Sequence, residues 1–448
     1  MSDLTFTDDE LGLFTDLYEL TMVQAYWAEG MRADGVFSLF FRKPPADRNF
    51  VLACGQEHVA QLAPLLRFPR AQLDRLATVG MFQDAFLQWL EGFRFSGAIH
   101  ALPEGTPVFA HEPFMEVRAP VAEAQLLETL VMNQITTETV LASKAVRVAL
   151  AAGERPVLDF GMRRMHGTDA ALRGVRAYRV AGIRATSNVL GSLRYGLPAS
   201  GTMAHSFIQA HPDETDAFRT YGQLYPGTTL LVDTYDTLAA VDKVIRLVRD
   251  EGLEIGAIRL DSGDLGSLSR TARDKLDAAG LQQIRIVVSG GLDEWTIREL
   301  LRGGAPIDGF GVGTDMGASV DAPSLDLAYK LTEYDNEPRL KNAPGKKLHP
   351  GAKQVWRFAG ADGTYSHDEI TGRTEARDGE PLLRAVVEDG TPLHPTPDID
   401  EARQRAWAAI ERMPAAMRAL EPAQTPYPVH FSDELERLRI DTINKLNR

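Results

Sequence analysis

The middle of the chain contains a series of short apolar runs, and most of them end beside a residue suited to chemistry rather than to packing. The runs are Val157–Phe160, Ile183–Thr186, Thr229–Val232, Ala257–Leu260, Ile284–Val288 and Ile307–Val312, with a last run predicted at Leu325–Leu331. Near-continuous apolar strands separated by helical segments are typical of a parallel α/β sheet. Polar residues at the carboxyl ends of successive strands are where an α/β barrel builds its active site. The pattern therefore predicts an α/β barrel with its site at that edge.

The regions on either side of these runs have different patterns, and they predict three parts. Residues 1–152 mix β-like runs with helical periodicity, which predicts a mixed α/β N-terminal domain ending in a long connecting helix. Residues 153–335 form the predicted barrel. Residues 336–448 begin with a polar, turn-rich stretch and are predicted to be a C-terminal extension that packs on the first two parts.

Several elements are predicted within the flanking parts. The first is a helix over Leu17–Glu29, and Asp16 with Glu19 three residues later resembles a capping box at its start. The C-terminal extension is predicted to contain a hairpin near Lys353–Phe358 and helices at about Asp398–Leu420 and Ser432–Leu446.

Composition excludes several classes of protein. The chain has 448 residues, 44% of them hydrophobic, and a formal net charge of −14, which argues against broad nucleic-acid binding because that requires a basic face. Its acidic start, Met1–Glu10, lacks the pattern of a signal peptide, and no apolar stretch reaches the roughly 18 residues of a membrane span. The single cysteine, Cys54, excludes an intrachain disulfide and fits a cytoplasmic protein.

Arg259-Leu260-Asp261-Ser262-Gly263-Asp264 follows a predicted buried strand. Two carboxylates three residues apart, Asp261 and Asp264, suit a site that holds a magnesium–phosphate complex directly or through water. The alternative is a helix N-cap made by Asp261 or Ser262. Local sequence leaves both interpretations open.

Two glycine-rich loops close neighbouring apolar runs. They are Ser289-Gly290-Gly291 and Gly311-Val312-Gly313-Thr314. Glycine lets the backbone approach an anion, and the N–H groups of the next helix can then bind phosphate. Each loop alone is compatible with a tight strand-to-helix turn, but two on successive strands of a barrel favour a phosphate site.

Two further strand ends carry polar or aromatic groups. Asp233 and Asp236 follow one run, where carboxylates can orient ribose hydroxyls, or where Asp236 can simply cap the next helix. Phe160 stands beside Arg163 and Arg164, an arrangement suited to a flat, negatively charged heteroaromatic ligand. A partly buried phenylalanine with solvated arginines remains the alternative.

His205 lies in Gly201-Thr202-Met203-Ala204-His205-Ser206-Phe207. A histidine among small and apolar residues is more often structural than catalytic. His211, six residues further on, is poorly spaced to share a metal ion, and no metal-binding motif includes His205. The chemistry left open to His205 is acid–base or nucleophilic.

Taken together, these segments resemble the nicotinate phosphoribosyltransferase family from Leu13 to about Arg357. The similar segments are Thr15–Met22, Phe41–Pro44, Asp159–Arg164, Ala185–Asn188, Gly201–Phe207, Leu231–Thr237, Arg259–Leu265, Ser289–Glu294 and Asp308–Thr314. The resemblance implies the type II phosphoribosyltransferase fold, an irregular, TIM-like α/β barrel packed against a mixed α/β domain. Residues beyond about 360 are not distinctive of the family.

The resemblance also implies an activity in NAD biosynthesis. Nicotinate and 5-phosphoribosyl 1-diphosphate would give nicotinate mononucleotide and pyrophosphate, with Mg²⁺ and with ATP hydrolysis coupled in the manner of a ligase. His205 would be transiently phosphorylated by ATP, and Asp261 and Arg259 would complete the catalytic set. The family pattern implies a cytoplasmic homodimer with shared active sites, without nucleic-acid or membrane partners.

Individual binding roles follow from the matched motifs. Tyr18 resembles the tyrosine that stacks on the pyridine ring across a dimer interface, and Arg42 would reach the neighbouring subunit's phosphate site. Thr202 and Arg259 match nicotinate contacts, and Thr314 matches a contact to phosphoribosyl diphosphate. The chemistry adds Phe160 for stacking, Arg163 for charge, Asp233 for ribose, and Gly290, Gly291 and Gly313 for phosphate.

Substrate choice depends on Ser187. Relatives that act on nicotinamide carry aspartate there, and a carboxylate would repel nicotinate, so neutral Ser187 favours nicotinate. Three rival functions remain: a nicotinamide phosphoribosyltransferase, a non-catalytic sensor of phosphoribosyl ligands, and an unrelated barrel isomerase acting on a sugar phosphate.

Overall fold

The computed structural model describes residues 7–342, 348–395 and 398–447. Met1–Phe6 of the acidic N-terminal stretch and residues 343–347 of the predicted turn-rich stretch lie outside these ranges. The chain divides into two compact units, one made of residues 1–143 and 324–448 and the other of residues 144–323. We call them unit 1 and unit 2. The predicted domain boundaries after residues 152 and 335 stay a prediction, because compactness alone does not establish independent folding.

The helices are, in chain order, α1 Leu17–Ala28, α2 Gln56–Leu62, α3 Arg70–Ala77, α4 Asp84–Glu91, α5 Val121–Gln125, α6 Glu128–Ala152, α7 Gly167–Val180, α8 Val189–Tyr195, α9 His205–Gln209, α10 Glu214–Leu224, α11 Thr237–Glu251, α12 Leu265–Ala278, α13 Glu294–Arg302, α14 Thr314–Ala318, α15 Ile399–Arg412, α16 Ala415–Arg418 and α17 Asp433–Leu446. Short 3-10 helices add Asp8–Leu13, Ala63–Leu65 and Met162–Arg164. Within the described residues, no helix combines the length and the apolar character that crossing a bilayer requires.

The strands are, in chain order, β1 Asp34–Phe41, β2 Val51–Leu52, β3 Ala98–Ala101, β4 Pro107–Val108, β5 Met115–Pro120, β6 Val157–Asp159, β7 Ala185–Thr186, β8 Thr228–Leu231, β9 Ile255–Leu260, β10 Arg285–Ser289, β11 Gly309–Val312, β12 Leu327–Tyr334, β13 Glu337–Pro338, β14 Lys353–Ala359, β15 Tyr365–Gly372, β16 Glu380–Pro381, β17 Arg384–Glu388, β18 Thr391–Pro392 and β19 Val429–Phe431.

Unit 2 is built on a six-stranded parallel sheet in the order β7-β6-β11-β10-β9-β8. Its central strands are apolar on both faces, and Leu260, Val288 and Val312 are fully buried at their ends. Strands buried on both faces read as continuous apolar runs, which is why the sequence revealed them. The fold is the α/β architecture predicted, with a sheet that is shorter and less regular than an eight-stranded barrel.

Short connections bring the carboxyl ends of these strands to one edge of the sheet. Three helices begin within a few residues of the preceding strand, each with an aspartate N-cap whose side chain accepts a backbone N–H: Asp236 for α11, Asp264 for α12 and Asp293 for α13. Such caps satisfy the free donors of a helix's first turn. The polar strand ends are thereby fixed along a single edge.

The prediction that Leu325–Leu331 forms the last strand of the barrel is wrong. The run at Leu325–Leu331 becomes β12, which pairs antiparallel with β1, joining Leu39 to Tyr329 and Phe41 to Leu327. It belongs to unit 1. An apolar run predicts a buried strand but does not specify which sheet the strand joins.

Unit 1 contains a seven-stranded sheet in the order β13-β12-β1-β5-β3-β17-β18 and a four-stranded sheet in the order β16-β14-β15-β19. The predicted hairpin near Lys353–Phe358 is confirmed, because β14 pairs antiparallel with β15. The predicted helix over 398–420 is split into α15 and α16 at Pro414, which cannot continue a helix because its ring removes a backbone donor.

The helix predicted from residue 17 is confirmed as α1, but its capping box is wrong. Asp16 makes no side-chain cap hydrogen bond. The Glu19 carboxylate instead accepts hydrogen bonds from the Thr15 hydroxyl, at 2.7 Å, and from the Thr129 backbone N–H, at 3.0 Å. Tertiary contacts with α6 therefore take the side chain that the local pattern assigned to the helix terminus.

Candidate active site

A cavity of about 370 Å³ opens at the carboxyl edge of the parallel sheet in unit 2. It is lined by Phe160, Arg163, Arg164, Arg259, Asp261, Ser289, Gly290, Gly291, Leu292, Asp293, Gly311, Gly313, Thr314, Asp315 and Val320. Eight of the residues predicted to form the site are in this set: Phe160, Arg163, Arg259, Asp261, Gly290, Gly291, Gly313 and Thr314. Guanidinium groups and backbone N–H groups at one concave edge suit an anionic ligand.

Arg259 connects residues of the cavity wall to the neighbouring segment that contains Met203. Its Nη1 donates to Asp261 Oδ1, at 3.1 Å, and to Ser289 Oγ, at 3.2 Å. Its Nη2 donates to the Met203 carbonyl oxygen, at 2.9 Å, and its charge lies 5.8 Å from the centre of the Phe160 ring. Burial lowers the pKa of Arg259, and the opposing charges of Asp261 and Asp233 act in the other direction. The guanidinium is thus held rigidly beside the cavity.

Asp233 organises the neighbouring loop. Its Oδ2 accepts hydrogen bonds from the Asp261 backbone N–H, at 3.0 Å, and from the Ser262 hydroxyl, at 2.6 Å. Its Oδ1 is buried with no hydrogen-bond partner among the described residues. A buried carboxylate oxygen without a partner carries a desolvation cost that a ligand hydroxyl can remove. Asp233 does not itself line the cavity.

The glycine loops approach the cavity as their sequence predicted. Gly290 has a positive φ of 86°, and a Cβ atom there would lie 1.9 Å from the Asp261 carbonyl oxygen, so a side chain is excluded. Gly311 passes under the Phe160 ring, where a Cβ would approach the ring to 2.4 Å. Both positions therefore require glycine because of close packing at the cavity.

Asp264 does not reach the cavity. Its Oδ1 accepts the Ser267 backbone N–H, at 3.0 Å, as the N-cap of α12. The cap foreseen for this loop is present, but Asp264 makes it instead of Asp261 or Ser262. Asp236 likewise caps α11, through the Ala239 N–H at 2.8 Å.

His205 is the first residue of α9 and is half-buried. Its Nδ1 lies 3.1 Å from the Thr234 hydroxyl, which follows β8. The Met203 carbonyl, two residues before it, accepts from Arg259. His205 is outside the set that lines the cavity, but this hydrogen bond connects its segment to the cavity wall.

Ser187 and Thr202 are half-buried near the same sheet edge but do not line the cavity. The Ser187 backbone N–H donates to the Asp159 carbonyl, at 2.9 Å, and the Thr202 hydroxyl donates to the Met203 carbonyl, at 3.2 Å. The carboxylate of Asp159 is buried and accepts from Thr186 Oγ1, at 2.6 Å, and from the Gly161 N–H, at 2.8 Å. These bonds fix the loops after β6 and β7.

Two predicted site residues belong to unit 1. The Tyr18 side chain is exposed (46%) and lines an open groove of about 410 Å³ with Asp16, Glu128 and Thr129 among its neighbours. Arg42 lies with its charge 5.2 Å from the Phe40 ring, and its Nε is buried without a hydrogen-bond partner among the described residues. Their predicted role in a shared site stays a prediction.

Three lining residues with polar or charged side chains were not predicted as polar groups of the site: Ser289, Asp293 and Asp315. Arg164, predicted beside Arg163 as a positive charge next to Phe160, also lines the cavity. The Ser289 hydroxyl donates a short hydrogen bond to Asp261 Oδ1. Ser289 and Asp293 flank the two glycines that were recognised, so their position after β10 was the available signal. Asp315 follows Thr314 directly, and nothing in its immediate sequence marked it.

Three family models match this chain. They are the nicotinate phosphoribosyltransferase (NAPRTase) N-terminal domain over residues 13–136, the NAPRTase family over 156–357 and the nicotinate phosphoribosyltransferase C-terminal domain over 373–439. The last match covers a region whose own motifs are not distinctive of the family. Together the models account for most of the chain.

Individual proteins agree with the models. The nicotinate phosphoribosyltransferase pncB2 of Mycobacterium tuberculosis is 49% identical over 95% of this chain and 94% of its own length. The nicotinate phosphoribosyltransferase of Bacillus subtilis is 38% identical over 82% and 77%. The crystal structure of human nicotinic acid phosphoribosyltransferase matches with a TM-score of 0.85 and 27% identity, over 97% of this chain and all of that one. The chain belongs to the nicotinate phosphoribosyltransferase family.

Proposed function

We propose that this chain is an enzyme of NAD biosynthesis that transfers the phosphoribosyl group of 5-phosphoribosyl 1-diphosphate to nicotinate. The products are nicotinate mononucleotide and pyrophosphate. The observation that carries the proposal is the cavity of unit 2, where three arginines, two glycine loops and the Phe160 ring meet in a chain of this family. Two of the rival functions, a sugar-phosphate isomerase and a ligand sensor, are disfavoured. The reason is the 49% identity, over 95% of this chain, to a relative named as a nicotinate phosphoribosyltransferase.

The cavity suits the charge changes of phosphoribosyl transfer. Positive charge develops at the anomeric carbon while pyrophosphate leaves, so the site must hold the pyridine nitrogen near that carbon and neutralise the leaving group. Phe160 offers a ring face for the pyridine, and Arg163 and Arg259 offer fixed positive charge for its carboxylate. A general base is not required because the pyridine nitrogen has a free lone pair.

The phosphate groups are assigned to the glycine edge. Gly290, Gly291, Gly313 and Thr314 line the cavity, and the glycines leave the backbone N–H groups accessible to phosphate oxygens. We assign the ribose hydroxyls to Asp233, because its buried Oδ1 lacks a hydrogen-bond partner among the described residues. Thr202 is assigned to nicotinate with Arg259, since both contact the Met203 carbonyl.

Magnesium fits this edge only with substrate oxygens. Asp261 lines the cavity, whereas Asp264 caps α12, so we keep Asp261 as the residue that would hold Mg²⁺ and Asp264 as at most an outer contact. Mg²⁺ is usually bound through one or two carboxylates together with phosphates and water. When bound, it would neutralise charge on the departing pyrophosphate.

We assign the coupling of ATP to His205. In this step Nε2 attacks the γ-phosphorus of ATP, a P–N bond forms as ADP leaves, and water later cleaves that bond to give phosphate. Nε2 is the appropriate atom because Nδ1 is already engaged by Thr234. Because Arg259 holds the Met203 carbonyl, a charge placed on His205 can act on the cavity through a short segment.

The assembly and location follow as further parts of the proposal. Tyr18, with its exposed ring, and Arg42, whose Nε has no hydrogen-bond partner within the described part of the chain, would complete the site of a second copy in a homodimer. The enzyme is placed in the cytoplasm, with no nucleic-acid partner. A cross-subunit role requires that Tyr18→Ala and His205→Ala chains, each inactive alone, recover activity when mixed.

The experiment that tests the function is a comparison of two pyridines. Purified protein is incubated with 5-phosphoribosyl 1-diphosphate, Mg²⁺, ATP and either nicotinate or nicotinamide, and nucleotide and pyrophosphate are measured. Equal amounts of nicotinate mononucleotide and pyrophosphate are expected. Comparable or faster turnover of nicotinamide would instead assign the chain to the nicotinamide reaction, and no pyrophosphate release would reject the transferase.

Ser187→Asp is predicted to weaken the use of nicotinate. The new carboxylate would repel the nicotinate carboxylate, and we expect kcat/KM for nicotinate to fall at least tenfold, or about 1.4 kcal/mol. Ser187→Asn is the matched control, since it adds similar volume without charge. Equal kinetics for the two variants would contradict the charge argument.

Labelling with γ-labelled ATP tests His205. The label is predicted to be labile in acid and stable in base, as for phosphohistidine, and to be absent from His205→Ala. His211→Ala is a matched control, because His211 bonds the Phe207 carbonyl through Nδ1 at the end of the same short helix. Label that persists in His205→Ala would remove this residue from the role.

A further inference from the structure

A buried lysine contacts residues next to the two glycine segments, 290–291 and 313–314, to which the phosphate groups are assigned. Lys144 is on α6 and is 1% exposed. Its ammonium contacts three carboxylates, at 2.5 Å from Glu294 Oε2, 2.5 Å from Asp315 Oδ1 and 3.0 Å from Asp321 Oδ1. Glu294 also accepts from Arg147 Nε, at 2.8 Å, so the cluster contains two cations and three anions. Lysine is almost never buried this deeply unless it is paired.

The partners of Lys144 are distributed over both cavity loops. Glu294 is the first residue of α13 and directly follows the lining residues Gly290 to Asp293. Asp315 lines the cavity itself and follows Thr314. Asp321 follows the lining residue Val320. One ammonium therefore joins the start of α13, which follows the loop after β10, to the first turn of α14, which follows β11, and Lys144 does so without lining the cavity.

We propose that Lys144 is a positioning residue for diphosphate, holding the 290–293 loop and the 313–315 segment at the start of α14 at the spacing that the phosphate groups require. This inference rests on the proposed function, because it takes diphosphate as the ligand of that edge. The neighbouring Asp315 is a carboxylate facing an anion site, a repulsive arrangement unless a fixed cation compensates it. The Lys144 ammonium is that cation, at hydrogen-bonding distance.

The charge of Lys144 is constant over the working range of pH. Burial lowers its pKa, but the surrounding carboxylates outweigh burial, and the net direction is upward. A lysine with a raised pKa keeps its proton, and its contribution to stability is lost only as pH rises through that raised value. The ion pairs of Lys144 therefore hold the two segments at every working pH and do not form a pH switch.

Binding of inorganic pyrophosphate to Lys144→Met, measured by calorimetry without divalent cations, is the first test. We expect the Kd to rise roughly tenfold to a hundredfold, the loss typical when a group that orients the contacting residues of a metal site is removed. In turnover, KM for 5-phosphoribosyl 1-diphosphate should rise by a similar factor while kcat changes less than about threefold, the pattern expected when uniform binding is lost. KM for nicotinate should change little.

Lys243→Met is the matched control. Lys243 also pairs with a buried glutamate of unit 2, Glu214, at 3.0 Å, but neither residue lines the cavity. Its loss should lower thermal stability and leave the Kd for pyrophosphate unchanged. If both variants weaken pyrophosphate binding equally, Lys144 has only a general structural role and the proposal is overturned.

Asp315→Asn gives an independent test, because the direction of the change in pyrophosphate affinity separates the two roles of Asp315. It remains usable if Lys144→Met does not fold. If Asp315 only faced the anion, removing its charge would tighten pyrophosphate binding in the absence of metal. If Asp315 anchors its loop to Lys144, the same change weakens binding, which is the result we expect. Tighter binding overturns the proposal. Because pyrophosphate binding requires no turnover, a failure of nicotinate transfer would leave this result readable.

Discussion

Two buried ionic clusters, one in each unit, use similar groups in different surroundings. In unit 2, Lys144 and its carboxylates reach a cavity through Asp315, whose side chain is 23% exposed. In unit 1, Arg357 of β14 pairs with Asp368 of β15, with Nη2 2.6 Å from Oδ2, and both side chains are buried. The Tyr427 hydroxyl donates to Asp368, at 3.1 Å, and Phe109 and Tyr365 place their rings against the guanidinium.

The comparison separates two uses of buried charge. A cluster enclosed by rings and strands can affect only the stability and register of its sheet. A cluster in which one carboxylate, here that of Asp315, lines a cavity can also set the shape of a ligand site. Burial of charged groups alone therefore does not indicate a ligand site. The indication comes from a member of the cluster that is partly exposed in a cavity.

Arg357→Met should cause the largest effect, and it should be on stability. Removing one partner of a buried pair leaves Asp368 uncompensated, so the free energy of unfolding is expected to fall by about 3–5 kcal/mol. The measurement is urea denaturation alongside pyrophosphate calorimetry. The Kd for pyrophosphate should stay within about twofold of wild type. A stable variant with weakened pyrophosphate binding would reverse the assignment of the two clusters.

Glu112→Gln should cause a smaller, pH-dependent effect in the same cluster. Burial raises the pKa of Glu112 well above its ordinary value, and the Asp368 carboxylate adds to this, so the folded protein keeps the proton. A raised pKa contributes stability that is complete below the unfolded value and is lost as pH rises through the folded value. Glutamine mimics the protonated acid, so the stability of the variant should fall less than that of wild type as pH rises above the unfolded pKa, by about 1.4 kcal/mol for each pH unit over which folded Glu112 keeps its proton.

Denaturation curves at several pH values measure this difference. The control is Glu123→Gln, which alters another carboxyl of unit 1 whose pKa is raised by burial. Glu294→Gln is not suitable because it changes the cluster around Lys144. Parallel stability profiles for wild type and Glu112→Gln would show that Glu112 is ionised in the folded protein.

Much of unit 2 was predictable because its strands are buried on both faces. The run Ala257–Leu260 became β9 at Ile255–Leu260, and Ile284–Val288 became β10 at Arg285–Ser289. The run at 325–331 was placed in the wrong sheet because pairing partners are not encoded in a strand's own pattern. The sequence predicted Asp264 as a metal ligand because local sequence does not specify which of the nearby aspartates caps α12.

Lys144 shows what local sequence cannot reveal. It lies in a mostly apolar helical stretch, with Arg147 three residues later, and nothing in that stretch marked it as part of the site. Its carboxylate partners come from positions about 150 to 180 residues later, at three separate points along the chain. Only the folded sheet brings them to one ammonium.

The position of bound 5-phosphoribosyl 1-diphosphate in a crystal of this protein tests the central claim most directly. The account predicts phosphate oxygens within hydrogen-bonding distance of the backbone N–H groups at 290–291 and 313–314, with Arg259 and Phe160 beside the reacting carbon. A ligand bound elsewhere, with these loops uncontacted at saturating concentration, would contradict it.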